Sequence, residues 1–179
     1  MAAETHVSGP LFAVRRRSVF LVAACLGLIV ASGCAAPRRE PVRISQLTEH
    51  GDTRRQASVR LVEEGLDAEM AGASERALSR YHNAIQIDPG NPFAYLALAR
   101  YYVSVDDPTR ALEHLDRAQS LLDPAGSISL RISPHLLGLR GGALAEMGRD
   151  AEAERLLARA RQLAPSVWGD GRLDPGELR

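Results

Sequence analysis

Small and apolar residues recur at helical spacing from about residue 58 to residue 167, with polar residues between them. Intervals of three and four residues place side chains on one face of an α-helix, so the pattern predicts amphipathic helices rather than strands. The same small–apolar–small pattern occurs three times: Ala77, Tyr81, Ala84; Ala111, Leu115, Ala118; and Ala153, Leu157, Ala160.

A second helical pattern precedes each of these, so every unit is predicted to contain two helices. The three upstream sets are Leu61, Gly65, Ala68; Tyr95, Ala99, Tyr102; and Leu137, Gly141, Leu144. A small residue lies at the centre of each set, where it would let the first helix approach the second closely. We therefore expect three helical hairpins.

Capping residues and prolines predict where these helices begin and end. Asp52 or Thr53 can cap the first helix, and Pro89, Pro124 and Pro165 close the three units because proline cannot continue a helix. Three pairs place a capping side chain before a proline at the first helical position: Asn91–Pro92, Asp107–Pro108 and Ser133–Pro134.

The first two units are 34 residues apart, and the third follows after 42, which is one period plus an insertion of eight. This period, with small residues at these positions, resembles the tetratricopeptide repeat. The resemblance implies an all-α solenoid of about three repeats within residues 52–167, at 58–91, 92–125 and 134–167. The insertion at 126–133 should form a loop or lengthen a neighbouring helix. The third unit should be the weakest, since glycine lowers helix propensity.

The resemblance also implies a binding groove on the inner face, which in this family is lined by the first helix of each repeat. We expect this groove to bind an apolar helix or an extended segment of a partner protein, with Arg100 pairing an acidic group. Alternatively, Val59, Val62 and Leu66 are ordinary core beneath an N-terminal segment. The predicted groove residues are Val59, Val62, Leu66, Met70, Phe93, Leu96, Arg100, Val103, His135, Leu139 and Glu146.

The N-terminus carries the parts of an export signal: a basic block at 15–17, an apolar run at 18–30, and small residues before Cys34. Residues 31–34 resemble the lipobox of bacterial lipoproteins, which implies a signal peptide at 1–33, lipidation of Cys34 and a flexible tether at 34–51. Two alternatives stay open. One is a second lipobox ending at Cys25, and the other is an uncleaved membrane anchor over 19–36.

Composition excludes several classes of function. The 22 basic residues balance 22 acidic ones, which leaves no basic excess for nucleic-acid binding. Both cysteines lie within the first 34 residues, so the repeat region has no disulfide or thiolate metal site. The histidines at 82, 114 and 135 fall in no catalytic or metal motif. We expect no enzyme activity, no cofactor, no bound metal and no small-molecule substrate.

The last residues, 168–179, are predicted to be a polar tail rich in turns, which Trp168 pins to the last helix. Residues 170–178 resemble the second half of an EF-hand calcium loop, but Ser166 and Trp168 stand where the first half needs acidic ligands. The sequence therefore favours a turn over a calcium site.

Together these features predict a lipid-anchored adaptor or assembly factor on the periplasmic face of the bacterial outer membrane. In layout it resembles the repeat lipoproteins of pilus and secretion systems. The alternative is a regulatory or structural subunit anchored in the inner membrane and facing the periplasm.

Overall fold

The computed structural model describes residues 41, 43–47, 52–122 and 126–179, and all regular structure within them is helical. This confirms the predicted all-α class. A 3-10 helix, Ile44–Leu47, comes first, and two short helices, α7 (Pro165–Trp168) and α8 (Pro175–Leu178), come last. Between them lie six longer helices: α1 (Thr53–Met70), α2 (Ser74–Ile87), α3 (Pro92–Ser104), α4 (Pro108–Ser120), α5 (Ser127–Glu146) and α6 (Asp150–Leu163).

The six longer helices pair in sequence order into three hairpins, α1 with α2, α3 with α4 and α5 with α6. The hairpins stack because α2 packs against α3 and α4 packs against α5. The first helices also contact one another, α1 with α3 and α3 with α5. They therefore form one continuous layer, the inner face, and the fold is the predicted solenoid of helical hairpins.

Glycine sets the distance between the two helices of the first and third hairpins. A Cβ atom added to Gly65 would lie 2.3 Å from the ring of Tyr81, and one added to Gly141 would lie 2.8 Å from the side chain of Leu157. These pairs occupy equivalent positions in the two repeats. The predicted close approach of paired helices is confirmed, because no larger side chain fits at either glycine.

Side-chain caps fix the starts of three helices. The carboxylate of Asp52 accepts a hydrogen bond from the backbone of the first turn of α1, at 2.8 Å. Asn91 caps α3 in the same way at 3.0 Å, and Asp107 caps α4 at 3.2 Å. All three caps were predicted from sequence, and each satisfies a backbone N–H that the helix itself leaves unpaired.

The predicted cap at Ser133–Pro134 is wrong. Helix α5 begins at Ser127 and continues through Pro134, so the insertion lengthens the first helix of the third hairpin. A proline inside a helix removes one backbone hydrogen bond. The packing around it is apolar, since Pro134 and the neighbouring Ile132 and His135 are all buried. Burial of the residues around the proline therefore outweighs the local preference for a helix start.

The predicted signal peptide, Cys34 and most of the tether lie outside the described residues. Within the part of the chain that the structure describes, none of the helices combines the length and hydropathy needed to cross a bilayer.

Two glycines of α5 predict opposite responses to alanine. A Cβ at Gly138 would lie 2.4 Å from the indole of Trp168, whereas one at Gly142 would meet only Val103, at 3.4 Å. We expect Gly138→Ala to lower the free energy of unfolding by about 1–3 kcal/mol through overpacking. Gly142→Ala should raise it by about 0.5–1 kcal/mol through helix propensity. Urea denaturation measures both.

The emission of Trp168, the single tryptophan, provides an independent readout. It should shift to longer wavelength in Gly138→Ala and stay unchanged in Gly142→Ala. Equal stabilisation by the two alanines would contradict the close contact between α5 and Trp168.

Candidate functional site

The structure buries most of the predicted groove. Met70 is 51% exposed at the end of α1, Val103 is half-buried and Glu146 is exposed. The remaining eight residues are each less than 5% exposed: Val59, Val62, Leu66, Phe93, Leu96, Arg100, His135 and Leu139. Most of the inner face is thus part of the hydrophobic core. For Val59, Val62 and Leu66, the structure agrees with the alternative interpretation that they are core residues covered by another segment. Whether the face binds a partner stays a prediction.

Two other segments of the chain pack against α1, one from before it in sequence and one from the last residues described. The 3-10 helix Ile44–Leu47 packs against α1 with Ile44 fully buried, and α8 packs beside it with Leu178 fully buried. These two covering segments also bind each other, because the backbone N–H and the hydroxyl of Ser45 both donate to the carbonyl oxygen of Arg179. The guanidinium of Arg179 forms an ion pair with Asp67 of α1, at 2.7 Å.

Residues 168–179, predicted as a polar tail, contain three buried apolar side chains. Trp168 is 1% exposed, Leu173 is 6% exposed and Leu178 is fully buried. The indole of Trp168 lies against Gly138 of α5, with the His135 ring 6.5 Å from its centre. Gly138 therefore has a role that its low helix propensity did not indicate, because the absence of a side chain there leaves room for Trp168.

The segment that resembled a calcium loop folds instead as a turn. Gly171 has a positive φ of 83°, and the carboxylate of Asp170 accepts a hydrogen bond from the backbone of Arg172 at 3.0 Å. Asp174 and Glu177 form a capping box at the start of α8. These carboxylates are thus used in local hydrogen bonds. No group of three His, Cys, Asp or Glu side chains among the described residues could hold a metal ion.

A buried charge network joins the first two hairpins at the inner face. Arg100 of α3 forms an ion pair with Glu69 of α1, and these side chains are only 5% and 8% exposed. The hydroxyl of Tyr81 on α2 donates a hydrogen bond of 2.6 Å to the same carboxylate. We expected Arg100 to pair an acidic group of a partner. The structure corrects this expectation, since the chain supplies that carboxylate itself.

The burial of Tyr81 raises the pKa of its hydroxyl far above the ordinary value, and the negative charge of Glu69 raises it further. Ionised Tyr81 would bring a second negative charge beside a buried carboxylate. The network is therefore stable only while Tyr81 remains protonated.

A cleft of about 400 Å³ lies where α3, α5 and the last residues of the chain meet. Four predicted groove residues line it: Arg100, Val103, Leu139 and Glu146. The Nε of Arg100 and the indole N–H of Trp168, both from lining residues, are buried donors without a hydrogen-bond partner among the described residues. Both atoms are fully enclosed by protein, so they belong to the packed wall of the cleft rather than to its open surface.

The three histidines do not form a common site. His114 stacks on Tyr102 with ring centres 5.3 Å apart, and its pKa is lowered by burial and then by the nearby His82. His135 lies apart from both, beneath Trp168. The structure thus places His135 in a different part of the fold from His82 and His114.

Three stacked hairpins with small residues at their internal contacts and one layer of first helices define a tetratricopeptide-type solenoid. Residues 68–123, from the end of α1 beyond the end of α4, match the tetratricopeptide repeat family. Comparison with curated proteins found no match to the chain. The repeats indicate a protein–protein interaction module, and this type of fold is generally a scaffold without catalysis.

The buried network predicts an alkaline limit to stability. A folded-state pKa above the unfolded value contributes stability that is present below the unfolded pKa and is lost as the pH rises beyond it. Unfolding should therefore become easier above about pH 10, the ordinary pKa of tyrosine. Tyr81→Phe should cost about 1–3 kcal/mol at neutral pH, because a hydrogen bond to a charged group is lost. It should also flatten the decline in stability at high pH.

Urea denaturation of both proteins across this range measures the effect. Tyr95→Phe is the matched control, since the Tyr95 hydroxyl donates to an exposed carbonyl, that of Pro89. If the free energy of unfolding falls equally at high pH in the wild type and in Tyr81→Phe, the loss of stability is due to a group other than Tyr81.

Proposed function

We propose that this chain is a membrane-anchored adaptor of the bacterial cell envelope, which binds a protein partner through its inner face. The observation that carries the proposal is the cleft on the first-helix side of a tetratricopeptide array. Its lining combines apolar side chains with charged rim residues such as Glu146 and Arg172. Such mixed lining is typical of surfaces that bind an extended segment or helix of another protein.

The position of the cleft supports a protein ligand more than a small one. It runs along α3 and α5, and its lining includes Gly142, where the absence of a side chain leaves room for a ligand. Arg100 and Val103, which line the cleft from α3, lie within the residues that match the tetratricopeptide repeat family, and domains of this family bind proteins.

The membrane attachment in this proposal rests on the sequence. Residues 31–34 resemble a lipobox, and a lipidated Cys34 would place the repeat region on the periplasmic face of the outer membrane. A diacylated or triacylated cysteine anchors a protein stably without a spanning helix. The layout supports an assembly role of the kind served by the repeat lipoproteins of pilus and secretion complexes.

Substitution of the two cysteines tests the anchor. Cys34→Ala should abolish lipid attachment, detected by mass spectrometry, and should remove the protein from the outer-membrane fraction. Cys25→Ala is the matched control and should change neither. Unchanged processing in Cys34→Ala, with retention in the inner membrane, would favour the alternative of a signal-anchored periplasmic regulatory or structural subunit.

A photo-reactive amino acid at the rim of the cleft tests the partner site. Placed at Glu146, it should crosslink one envelope protein in intact cells. The same residue at Arg159, which is exposed on the outer helix α6, should give no such product. Equal crosslinking from both positions would contradict a binding site at the inner face. Buried residues such as Phe93 are unsuitable for this test, because replacing them would disturb the core.

A further inference from the structure

Residues 170–179, here called the closing segment, attach to the rest of the fold through few side chains. Only Leu173 and Leu178 are buried, and they are five residues apart. Asp170, Arg172, Asp174, Gly176 and Arg179 are exposed. The ion pair of Arg179 with Asp67 joins two side chains that are 43% and 46% exposed, so solvent screens it. Besides the two leucines, the segment is held by the hydrogen bonds that the backbone N–H and the hydroxyl of Ser45 donate to the carbonyl oxygen of Arg179.

The closing segment also keeps its own shape by local hydrogen bonds. The backbone N–H of Asp174 donates to the carboxylate of Glu177 at 2.9 Å, which completes the capping box of α8. Asp170 accepts from the backbone of Arg172, and the positive φ of Gly171 allows the turn between them. A segment ordered by its own contacts loses less entropy on binding than an irregular one. In this respect it resembles a preorganised peptide ligand.

Trp168 and the closing segment are anchored differently. The indole of Trp168 fits into the space left by Gly138 and is 1% exposed, so it is fixed to the third hairpin. The residues that follow, Gly169 to Gly171, include two glycines and bury no side chain. They form a natural hinge, beyond which the segment could leave while Trp168 stays in place.

Departure of the closing segment would uncover binding surface that is already shaped. Helix α8 packs against α1, where Arg179 pairs with Asp67 and Gly176 lies beside Met70, and Leu178 is fully buried. Leu173 lines the cleft beside Arg100 and Leu139, so its release would extend the cleft towards α1. The apolar inner face is thus occupied at present by a segment of this chain.

We propose that the closing segment is an internal ligand of the inner face, and that the partner presents the same chemistry. That chemistry is two leucine-sized side chains five residues apart, flanking an acidic Pro–Gly turn that begins a short helix. The partner displaces the closing segment by competition. The partner's identity rests on the function proposed above, whereas the role of the closing segment as a ligand does not.

The test uses the full chain carrying Leu173→Asp and Leu178→Asp, and a fluorescent peptide of residues 170–179 with the native sequence. In the wild type the tethered segment competes at an effective concentration of the order of millimolar, so added peptide should bind poorly. The double variant should bind the peptide at least about tenfold more tightly, measured by fluorescence anisotropy. Its Trp168 emission and helical circular dichroism should match the wild type.

Two controls make this result specific. A full chain with Ile87→Asp and Leu163→Asp carries the same charges at partly exposed positions, 39% and 37%, on the second helices. It should bind peptide no better than the wild type. A peptide in which both leucines are replaced by aspartate should not bind the double variant.

Several outcomes would overturn the proposal. One is a double variant that keeps its helices but binds no peptide, and another is equal binding of the aspartate peptide. Loss of helical structure in the double variant would make the closing segment a structural cap rather than a ligand. A wild-type dimer that becomes monomeric in the variant would assign the segment to exchange between two copies. None of these results depends on crosslinking at Glu146, so failure here is separable from failure of the proposed function.

Discussion

The close approach of paired helices at small residues determines most of this fold. Tyr81 occupies the space in which a Cβ of Gly65 would lie, and Leu157 does the same at Gly141. In these two hairpins a side chain of the second helix therefore packs directly against the backbone of the first. The fully buried alanines at 77, 84, 111 and 118 do the same from the second helices. Because the chain has few aromatic residues, stability must come from this dense packing of small and branched side chains. The hairpins can stack only because each is thin.

The local features of the sequence were sufficient to predict the hairpins but not what covers them. Helix pattern, caps at Asp52, Asn91 and Asp107, and the glycine contacts all depend on residues close in sequence or in repeat register. The pairing of Arg100 with Glu69 and the burial of Leu178 depend on contacts between distant residues, for which a single sequence contains no periodic signal. The prediction at Pro134 failed for the opposite reason. The residue pair Ser133–Pro134 does favour a helix start, but the packing of α5 outweighs that local preference.

The buried network of Glu69, Arg100 and Tyr81 is a costly way to join two hairpins. Removing two charges from water carries a penalty that offsets much of their attraction, so a buried pair adds little net stability by itself. Here it fixes α1, α2 and α3 in one register at the inner face, since each contributes one member. The remaining unpaired Nε of Arg100 lies at the boundary between this rigid junction and the cleft. Arg100 therefore belongs both to this junction and to the lining of the cleft.

An apolar inner face in a short solenoid must be covered, whether by the chain or by another molecule. A long array spreads such a surface over many repeats, but three hairpins leave a large fraction of the core exposed at one side. Covering it with a few tethered leucines protects the free protein without making the surface permanently inaccessible. In the inference proposed above, the closing segment covers this face with two buried leucines and an ion pair exposed to solvent, an attachment that a competing partner would displace.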